Sequence, residues 1–128
     1  MTEAELIQVA INVRGNAHAP YSKFAVGAAL LTKSGKLFTG CNVENSSYGL
    51  TVCAERNAIG AMVVAGCQDL AKVVVAASPL ASPCGACRQS IVEFGTEIEI
   101  VSVDPEDIKK IQRWTICELI PDHFKFDR

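Results

Sequence analysis

The segment at residues 72–77 constrains the fold more than any other part of the sequence. It reads Lys-Val-Val-Val-Ala-Ala, so five consecutive positions carry small or β-branched apolar side chains. A continuous run of this kind is typical of a strand that is buried on both faces of its sheet. Such a strand needs helices on both sides of the sheet, which favours an α/β architecture.

The rest of the chain supplies the helices and strands that this architecture requires. Thr2 and Glu5 form a capping box that predicts a helix over residues 3–15, and Gly66 ends a helix predicted over 54–65. The remaining predictions are strands over 26–32, 36–41, 97–103 and 111–114, a helix over 84–94, and a short helix opened by Thr115 and Glu118. Because residues 26–41 form a predicted hairpin, the order α-β-β-α-β-α-β-β-α predicts a mixed sheet with helices on its faces.

Length and charge limit the domain count and the partners. The 128 residues, of which 49% are apolar, suit one domain over 1–128. Lys and Arg number 12 and Asp and Glu number 14, which gives a net charge of −2. The closest approach to a basic run is Lys109-Lys110, whereas binding to a nucleic-acid backbone requires a clustered basic surface. We therefore expect no nucleic-acid partner.

Hydropathy and the first residues of the sequence predict the location of the protein. The longest unbroken run of apolar residues and glycine is 58–67, much shorter than the ~20 residues of a membrane-spanning helix. The sequence begins Met-Thr-Glu-Ala-Glu and lacks the basic segment that opens a secretory signal. We therefore expect a cytoplasmic protein with no membrane partner.

Three of the six cysteines have a spacing that suits a metal. In a reducing compartment, thiols serve in metal binding, chemistry or packing more often than in disulfides. Cys84 and Cys87 are three residues apart at a predicted helix start, so their sulfurs share one helix face. Cys53 opens another predicted helix. If the two helix starts meet, three thiolates can hold one Zn²⁺ ion and leave its fourth position to water.

The position of Glu55 indicates that this metal site is catalytic. It lies two residues after Cys53, where a carboxylate can stand beside a metal-bound water without binding the metal. Such a group can take the proton of the water and pass it on as a general acid and base. Cysteine-x-glutamate followed by proline-cysteine-x-x-cysteine is the pattern of the zinc deaminases.

The residues around these motifs extend the match. Segments 53–55 and 83–89, together with 21–30 (Tyr-Ser-Lys-Phe-Ala-Val-Gly-Ala-Ala-Leu) and 42–45 (Asn-Val-Glu-Asn), resemble the small cytidine deaminases. The resemblance covers residues from about 19 to 124. It implies a three-layer α/β/α fold with a five-stranded mixed sheet, a homotetramer, and zinc-dependent hydrolysis of cytidine and deoxycytidine to uridine and deoxyuridine, a reaction of pyrimidine salvage.

The resemblance also implies a role for individual residues. Cys53, Cys84 and Cys87 would hold one zinc ion per chain, and Glu55 would move the protons. For the base, the resemblance implies stacking by Phe24 and recognition of the base edge by the backbone of Ala54 and the carbonyl near Ser82. For the ribose, it implies hydrogen bonds from Asn42 and Glu44. Tyr48 and Phe124 would close the pocket, and parts of each pocket would come from neighbouring subunits.

Charge arguments apply to the surroundings of the zinc and of the ribose. A zinc ion with three thiolates is net negative, and hydrogen-bond donors to the sulfurs would withdraw some of that charge. Arg56 and Gln89 are candidates for this role, as in the family. The carboxylate of Glu44 would repel a 5′-phosphate nearby, which favours a free nucleoside over a nucleotide.

Several alternatives stay open at this point. Cys41, Cys67 or Cys117 could supply a fourth ligand and close a purely structural zinc site. The three thiols could also be packing residues, and the pair at 84 and 87 could be a redox couple. Among functions, the alternatives are deamination of an aminonucleoside antibiotic such as blasticidin S and a non-catalytic zinc-binding module.

Overall fold

A five-stranded sheet forms the centre of the structure, a computed structural model that describes residues 1–126. Its strands in chain order are β1 (Val26–Thr32), β2 (Leu37–Cys41), β3 (Leu70–Ala77), β4 (Glu99–Asp104) and β5 (Asp107–Thr115). In space the order is β2-β1-β3-β4-β5, with β3 and β4 parallel and the other three pairs antiparallel. The predicted mixed sheet of five strands is confirmed.

Helices cover both faces of this sheet. They are α1 (Glu3–Arg14), α2 (Ala54–Val64), α3 (Gly85–Val92) and α4 (Ile116–Leu119). The parallel strands β3 and β4 are joined through α3, as a βαβ unit requires. The three-layer α/β/α prediction is confirmed. Among residues 1–126, every helix falls short of the length and apolar character needed to cross a membrane.

Each face has its own apolar core. On the face covered by α1, which we call the α1 face, Leu6 and Ala10 pack with Val74 and Val101 of the sheet. On the opposite face, which we call the α2 face, the core is made by residues of α2, α3 and the sheet: Ala58, Met62, Ile91, Val73 and Ile100. Side chains of β3 therefore enter both cores, which explains why its sequence is apolar at successive positions.

Two glycines let helices approach the sheet closely. A Cβ atom at Gly27 of β1 would overlap the carbonyl oxygen of Ala10 in α1. A Cβ atom at Gly40 of β2 would overlap the carbonyl oxygen of Ala54 in α2. Each face thus has one position where backbone meets backbone, and at Gly40 that contact fixes the first turn of α2.

The structure changes several predicted boundaries. β5 begins at Asp107 rather than residue 111, because β4 and β5 are joined by only two residues and form a hairpin. The first half of β5 is exposed and polar, so it lacks the apolar alternation that marks a half-buried strand. A single 3₁₀ turn at Tyr48–Leu50 has no counterpart among the predictions.

Candidate active site

The starts of α2 and α3 bring the three predicted thiols together. Cys53 is the N-cap residue of α2, and Cys84 is the N-cap residue of α3. Both have extended backbone conformations, and neither side chain makes a capping hydrogen bond. Cys87 lies one turn into α3 and is fully buried. The thiols are therefore free to face one another instead of the helix ends.

The distances between the sulfurs fit a single zinc ion. The Sγ atoms of Cys53 and Cys84 are 3.8 Å apart, and all three sulfurs lie within 4.8 Å of one another. Two sulfurs bonded at about 2.3 Å to one tetrahedral zinc lie roughly 3.8 Å apart. Among residues 1–126, no fourth His, Cys, Asp or Glu joins the group. The donor set therefore fits a zinc with one position left for water, and not a closed structural site.

Hydrogen bonds distribute the charge among the thiols. The thiol of Cys87, and secondly the guanidinium of Arg56, hydrogen-bond to Cys53 and lower its pKa to about 5. The same bond to Cys53, together with burial, raises the pKa of Cys87. Nη2 of Arg56 is 3.7 Å from Sγ of Cys53 and 3.4 Å from the carbonyl oxygen of Thr51. Arg56 thus lies where the charge argument requires a donor.

Glu55 is buried beside the sulfurs. It is the second residue of α2, and only 4% of its surface is exposed. Burial is the main cause that raises the pKa of its carboxyl group, and the negative charge of Cys53 acts in the same direction. A buried carboxyl group with a raised pKa takes up and releases a proton more readily near neutral pH than an ordinary carboxyl group does, which suits proton transfer to and from a bound molecule.

One cavity opens onto Glu55 and the two N-cap cysteines. Among the predicted substrate contacts, Phe24, Asn42 and Ala54 line it. The other lining residues come from the segment before α2, from β1 and β3, and from the loop after β3: Thr51, Val26, Val75, Ala77, Ala81 and Ser82. Ser82 therefore lies in the wall where a carbonyl contact to the base edge is predicted.

Asn42 and Glu44 make their hydrogen bonds to the segment that carries Phe24. Nδ2 of Asn42 donates to the carbonyl oxygen of Phe24 at 2.8 Å, and Oδ1 accepts from the N–H of Val26 at 2.9 Å. Oε1 of Glu44 accepts from the N–H groups of Tyr21 and Ser22. Glu44 lies in a neighbouring surface depression rather than in the wall of the cavity.

Three other predicted residues lie away from the cavity. Tyr48 is 73% exposed and packs its ring against Tyr21 beside Glu44. Phe124 is 69% exposed and lies in a depression next to α3. The side-chain amide of Gln89 donates to the carbonyl oxygen of Phe124 at 3.0 Å. The structure therefore holds Gln89 on the segment after α4, and not as a donor to a sulfur.

Arg88 has a structural role that the sequence analysis missed. Its Nε donates to the carbonyl oxygen of Pro83 at 2.7 Å, and its Nη2 donates to the hydroxyl of Ser82 at 3.0 Å. Its Nη1 donates to the carbonyl oxygen of Leu119 at 2.9 Å. Arg88 therefore fixes the wall segment before Cys84 to the end of α4. The available signal was an arginine directly after the second cysteine of the cysteine-x-x-cysteine motif.

Comparison with known proteins identifies the family. Residues 1–103 match the model of the cytidine and deoxycytidylate deaminase zinc-binding region. The chain belongs to this deaminase family. All three thiols and Glu55 fall inside the matched residues, so the family match and the sulfur cluster describe the same site. Together they establish zinc as the cofactor of this deaminase-family chain.

Individual relatives match most of the chain. A probable cytidine deaminase of Dictyostelium discoideum is 52% identical over 112 residues, which span 83% of this chain and 76% of that protein. A cytidine deaminase of Halalkalibacterium halodurans is 41% identical over 97% of this chain and 95% of its own length. The crystal structure of a cytidine deaminase from Burkholderia pseudomallei superimposes with a TM-score of 0.91, at 43% identity over 97% of this chain and 100% of that one.

Proposed function

We propose that this chain is a zinc-dependent cytidine deaminase, which hydrolyses cytidine and deoxycytidine to uridine and deoxyuridine and releases ammonia. The observation that carries this proposal is a three-thiol cluster beside a buried carboxyl group at the wall of one cavity, with no fourth protein ligand among the residues up to 126. A hydrolytic metal site needs this combination, because the water must reach both the metal and a proton acceptor.

The three cysteines hold the metal in this proposal. Cys53, Cys84 and Cys87 provide thiolates at helix starts, where the positive end of each helix dipole stabilises negative charge. When zinc is bound it acidifies a water molecule and so supplies the nucleophile at neutral pH. Arg56 donates to Cys53 and offsets part of the charge that three thiolates bring to the site.

Glu55 moves the protons of the reaction. Its carboxylate takes a proton from the attacking water, and the carboxyl group then protonates N3 of the pyrimidine. A second proton, from the hydroxyl group now on C4, goes to the amino nitrogen, which leaves as ammonia while the oxygen remains as the C4 carbonyl. One water is consumed and one ammonia is released, so atoms and protons balance. The burial of Glu55 keeps bulk water from competing for these protons.

The walls of the cavity orient the nucleoside. Phe24 offers its ring to stack on the pyrimidine, and the backbone of Ala54 and of Ser82 reads the base edge. Asn42 and Glu44 are assigned to the ribose hydroxyls. Tyr48 and Phe124 are assigned to pocket closure in a homotetramer, and their exposure in the single chain supports such contacts. Gln89 acts here through the segment that carries Phe124.

We also propose a domain organisation, a cellular compartment and a metabolic role for the enzyme. We infer a single domain over residues 1–128, supported by one continuous sheet that joins both cores. Six free cysteines suit the reducing conditions of the cytoplasm. We assign the reaction to pyrimidine salvage, because it recovers uridine from cytidine.

The test is a direct assay of the purified protein. Cytidine, deoxycytidine, CMP and blasticidin S are incubated separately while pyrimidine absorbance and released ammonia are followed. We expect turnover of both nucleosides, much weaker turnover of CMP, and about one zinc per chain by metal analysis. Turnover of blasticidin S alone would replace the proposed substrate, and an active protein without zinc would refute the mechanism.

The matched control for this assay is Glu55→Gln, which keeps the size of the side chain and removes its proton chemistry. We expect this variant to retain zinc and fold while kcat falls by at least 10²–10⁴-fold, the usual contribution of a general acid and base. Equal kcat values for the variant and the wild type would rule out Glu55 as the proton carrier.

A further inference from the structure

Ser22 lies between two residues of the proposed site that do not touch the same cavity. Phe24 lines the cavity that contains Glu55, whereas Glu44 lies in the neighbouring depression with Ser22. The hydroxyl of Ser22 donates to Oε2 of Glu44 and accepts from the N–H of Phe24, the latter at 3.0 Å. One hydroxyl group thus connects the carboxylate to the stacking residue.

Within the described part of the chain, residues 1–126, all of the hydrogen bonds that Glu44 makes through its side chain go to this loop. Oε1 accepts from the N–H of Tyr21 at 3.0 Å and from the N–H of Ser22 at 3.2 Å, while Oε2 accepts from the hydroxyl of Ser22. Hydrogen bonds to the carboxylate, with that from the Ser22 hydroxyl the strongest, lower the pKa of Glu44. The carboxylate is therefore charged at neutral pH and holds the loop at three points.

The backbone at Lys23 adopts an unfavourable conformation that these hydrogen bonds stabilise. Lys23, between Ser22 and Phe24, has a φ of +60°, a left-handed conformation that residues with a side chain rarely adopt. The hydrogen bond from the N–H of Phe24 to the Ser22 hydroxyl closes a turn around Lys23. On its other side, the carbonyl oxygen of Phe24 accepts from Asn42. The backbone of Phe24 is thus held at its N–H by Ser22 and at its carbonyl by Asn42.

We propose that Ser22 is a positioning residue. Its hydroxyl bonds to both the carboxylate of Glu44 and the N–H of Phe24, so it fixes the ring of Phe24 relative to Glu44 and sets how deeply the pyrimidine enters the cavity. This inference rests on the proposed function, because it assumes that Phe24 stacks on the base. Glu44 then contributes to base binding through Ser22, in addition to its assigned contact with the ribose.

Steady-state kinetics on Ser22→Ala test this inference. We expect the KM for cytidine to rise about ten-fold, the effect of losing a hydrogen bond to a charged group, while kcat changes much less. Zinc content and the thermal unfolding midpoint are measured on the same samples. Ser34→Ala is the matched control, because it removes an exposed hydroxyl in the β1–β2 turn, and it should leave KM unchanged.

A near-isosteric pair separates the hydroxyl from the shape of the side chain. Ser22 is exposed, so the extra methyl groups of Thr and Val have room. Ser22→Thr keeps the hydroxyl and should retain most of the wild-type affinity, whereas Ser22→Val should show the raised KM. Because the two variants differ only in one hydroxyl, equal KM values for them would overturn the proposal, even if Ser22→Ala folds poorly.

A double-mutant cycle tests whether Ser22 acts through Phe24. Independent residues give KM factors that multiply to within about two-fold. If Ser22 acts by placing the ring, Ser22→Ala should have almost no effect in a Phe24→Leu background. Multiplying factors would overturn the proposal, because a general structural role predicts them. An inactive wild type would refute the proposed function, whereas an active wild type with an unaffected Ser22→Ala variant would refute only this inference.

Discussion

The helix of the α1 face and the two long helices of the α2 face begin differently. The N-cap residue of α1 is Thr2, whose side chain accepts from the N–H of Glu5 while the side chain of Glu5 accepts from the N–H of Thr2. The N-cap residues of α2 and α3 are Cys53 and Cys84, whose side chains make no capping hydrogen bond. A good N-cap contributes about 1 kcal/mol. On the α2 face, two helices lack this stabilisation, and the residues at their N-cap positions supply two thiolates to one site instead.

The largest effect is expected from Cys84→Ser, which exchanges a zinc ligand for a helix-capping residue. Serine is a favoured N-cap residue but a poor zinc ligand, so the variant should lose zinc and most of its activity. Its metal-free form should be about 0.5–1 kcal/mol more stable than the metal-free wild type, because α3 gains a cap. Urea unfolding with a chelator present measures this difference, and a less stable variant would mean that Cys84 also supports the metal-free fold.

Alanine at each close-approach glycine tests whether the two faces differ in function as well as in stability. Gly27→Ala presses on α1 and Gly40→Ala presses on α2, so each should cost about 1–3 kcal/mol of unfolding free energy. Only Gly40→Ala should lower kcat/KM in the folded protein, because it displaces the turn that holds Cys53 and Glu55. A kcat/KM for Gly40→Ala equal to that of the wild type would show that the site tolerates a shift of α2.

A smaller effect is expected at the cap of α1. Thr2→Ala should lower the unfolding free energy by about 1 kcal/mol, because the N–H of Glu5 loses the hydroxyl that accepts its hydrogen bond. Since Thr2 lies outside the site, kcat/KM for cytidine should stay at the wild-type value. Chemical unfolding and steady-state kinetics on one preparation measure both quantities, and a change in kcat/KM would show that the two faces are coupled.

The smallest effect concerns the acid stability of the α1 face. Hydrogen bonds from Arg113 and Lys72 lower the pKa of Glu3 to about 2, from an ordinary value of 4.5. A lowered pKa means that the ionised group stabilises the fold above about pH 4.5, and that this contribution is lost as the pH falls toward 2. Glu3→Gln should therefore lose less stability than the wild type over this range, by under about 1 kcal/mol because the pairs are partly solvated. Parallel stability curves of the two proteins between pH 5 and pH 2.5 would contradict this role.

The same contrast shows what the sequence could predict. The Thr2 capping box, the apolar run of β3 and the spacing of Cys84 and Cys87 depend on neighbouring residues, so the pattern alone reveals them. The convergence of Cys53 with the other two thiols depends on chain topology, and the family resemblance was needed to anticipate it.

Other features depend on contacts that no local pattern encodes. The side chain of Gln89 bonds to the segment after α4, 35 residues away, so its position in the motif did not reveal its partner. Glu44 was assigned to the ribose alone, and its hold on Ser22 depends on a loop 22 residues earlier in the chain. The first half of β5 was missed because it is exposed and carries Asp107, Lys109 and Lys110, so no apolar alternation marks it as a strand.

The exposed edge formed by β5 has a consequence for how the protein behaves at high concentration. A nine-residue strand at the border of a sheet offers unpaired backbone groups to any other extended chain, which is a route to aggregation. β5 carries Lys109, Lys110 and Arg113, so two such borders brought together would repel each other. The two lysines, which lie in the half of β5 that pattern analysis missed, thus help to protect the protein from precipitation through strand addition.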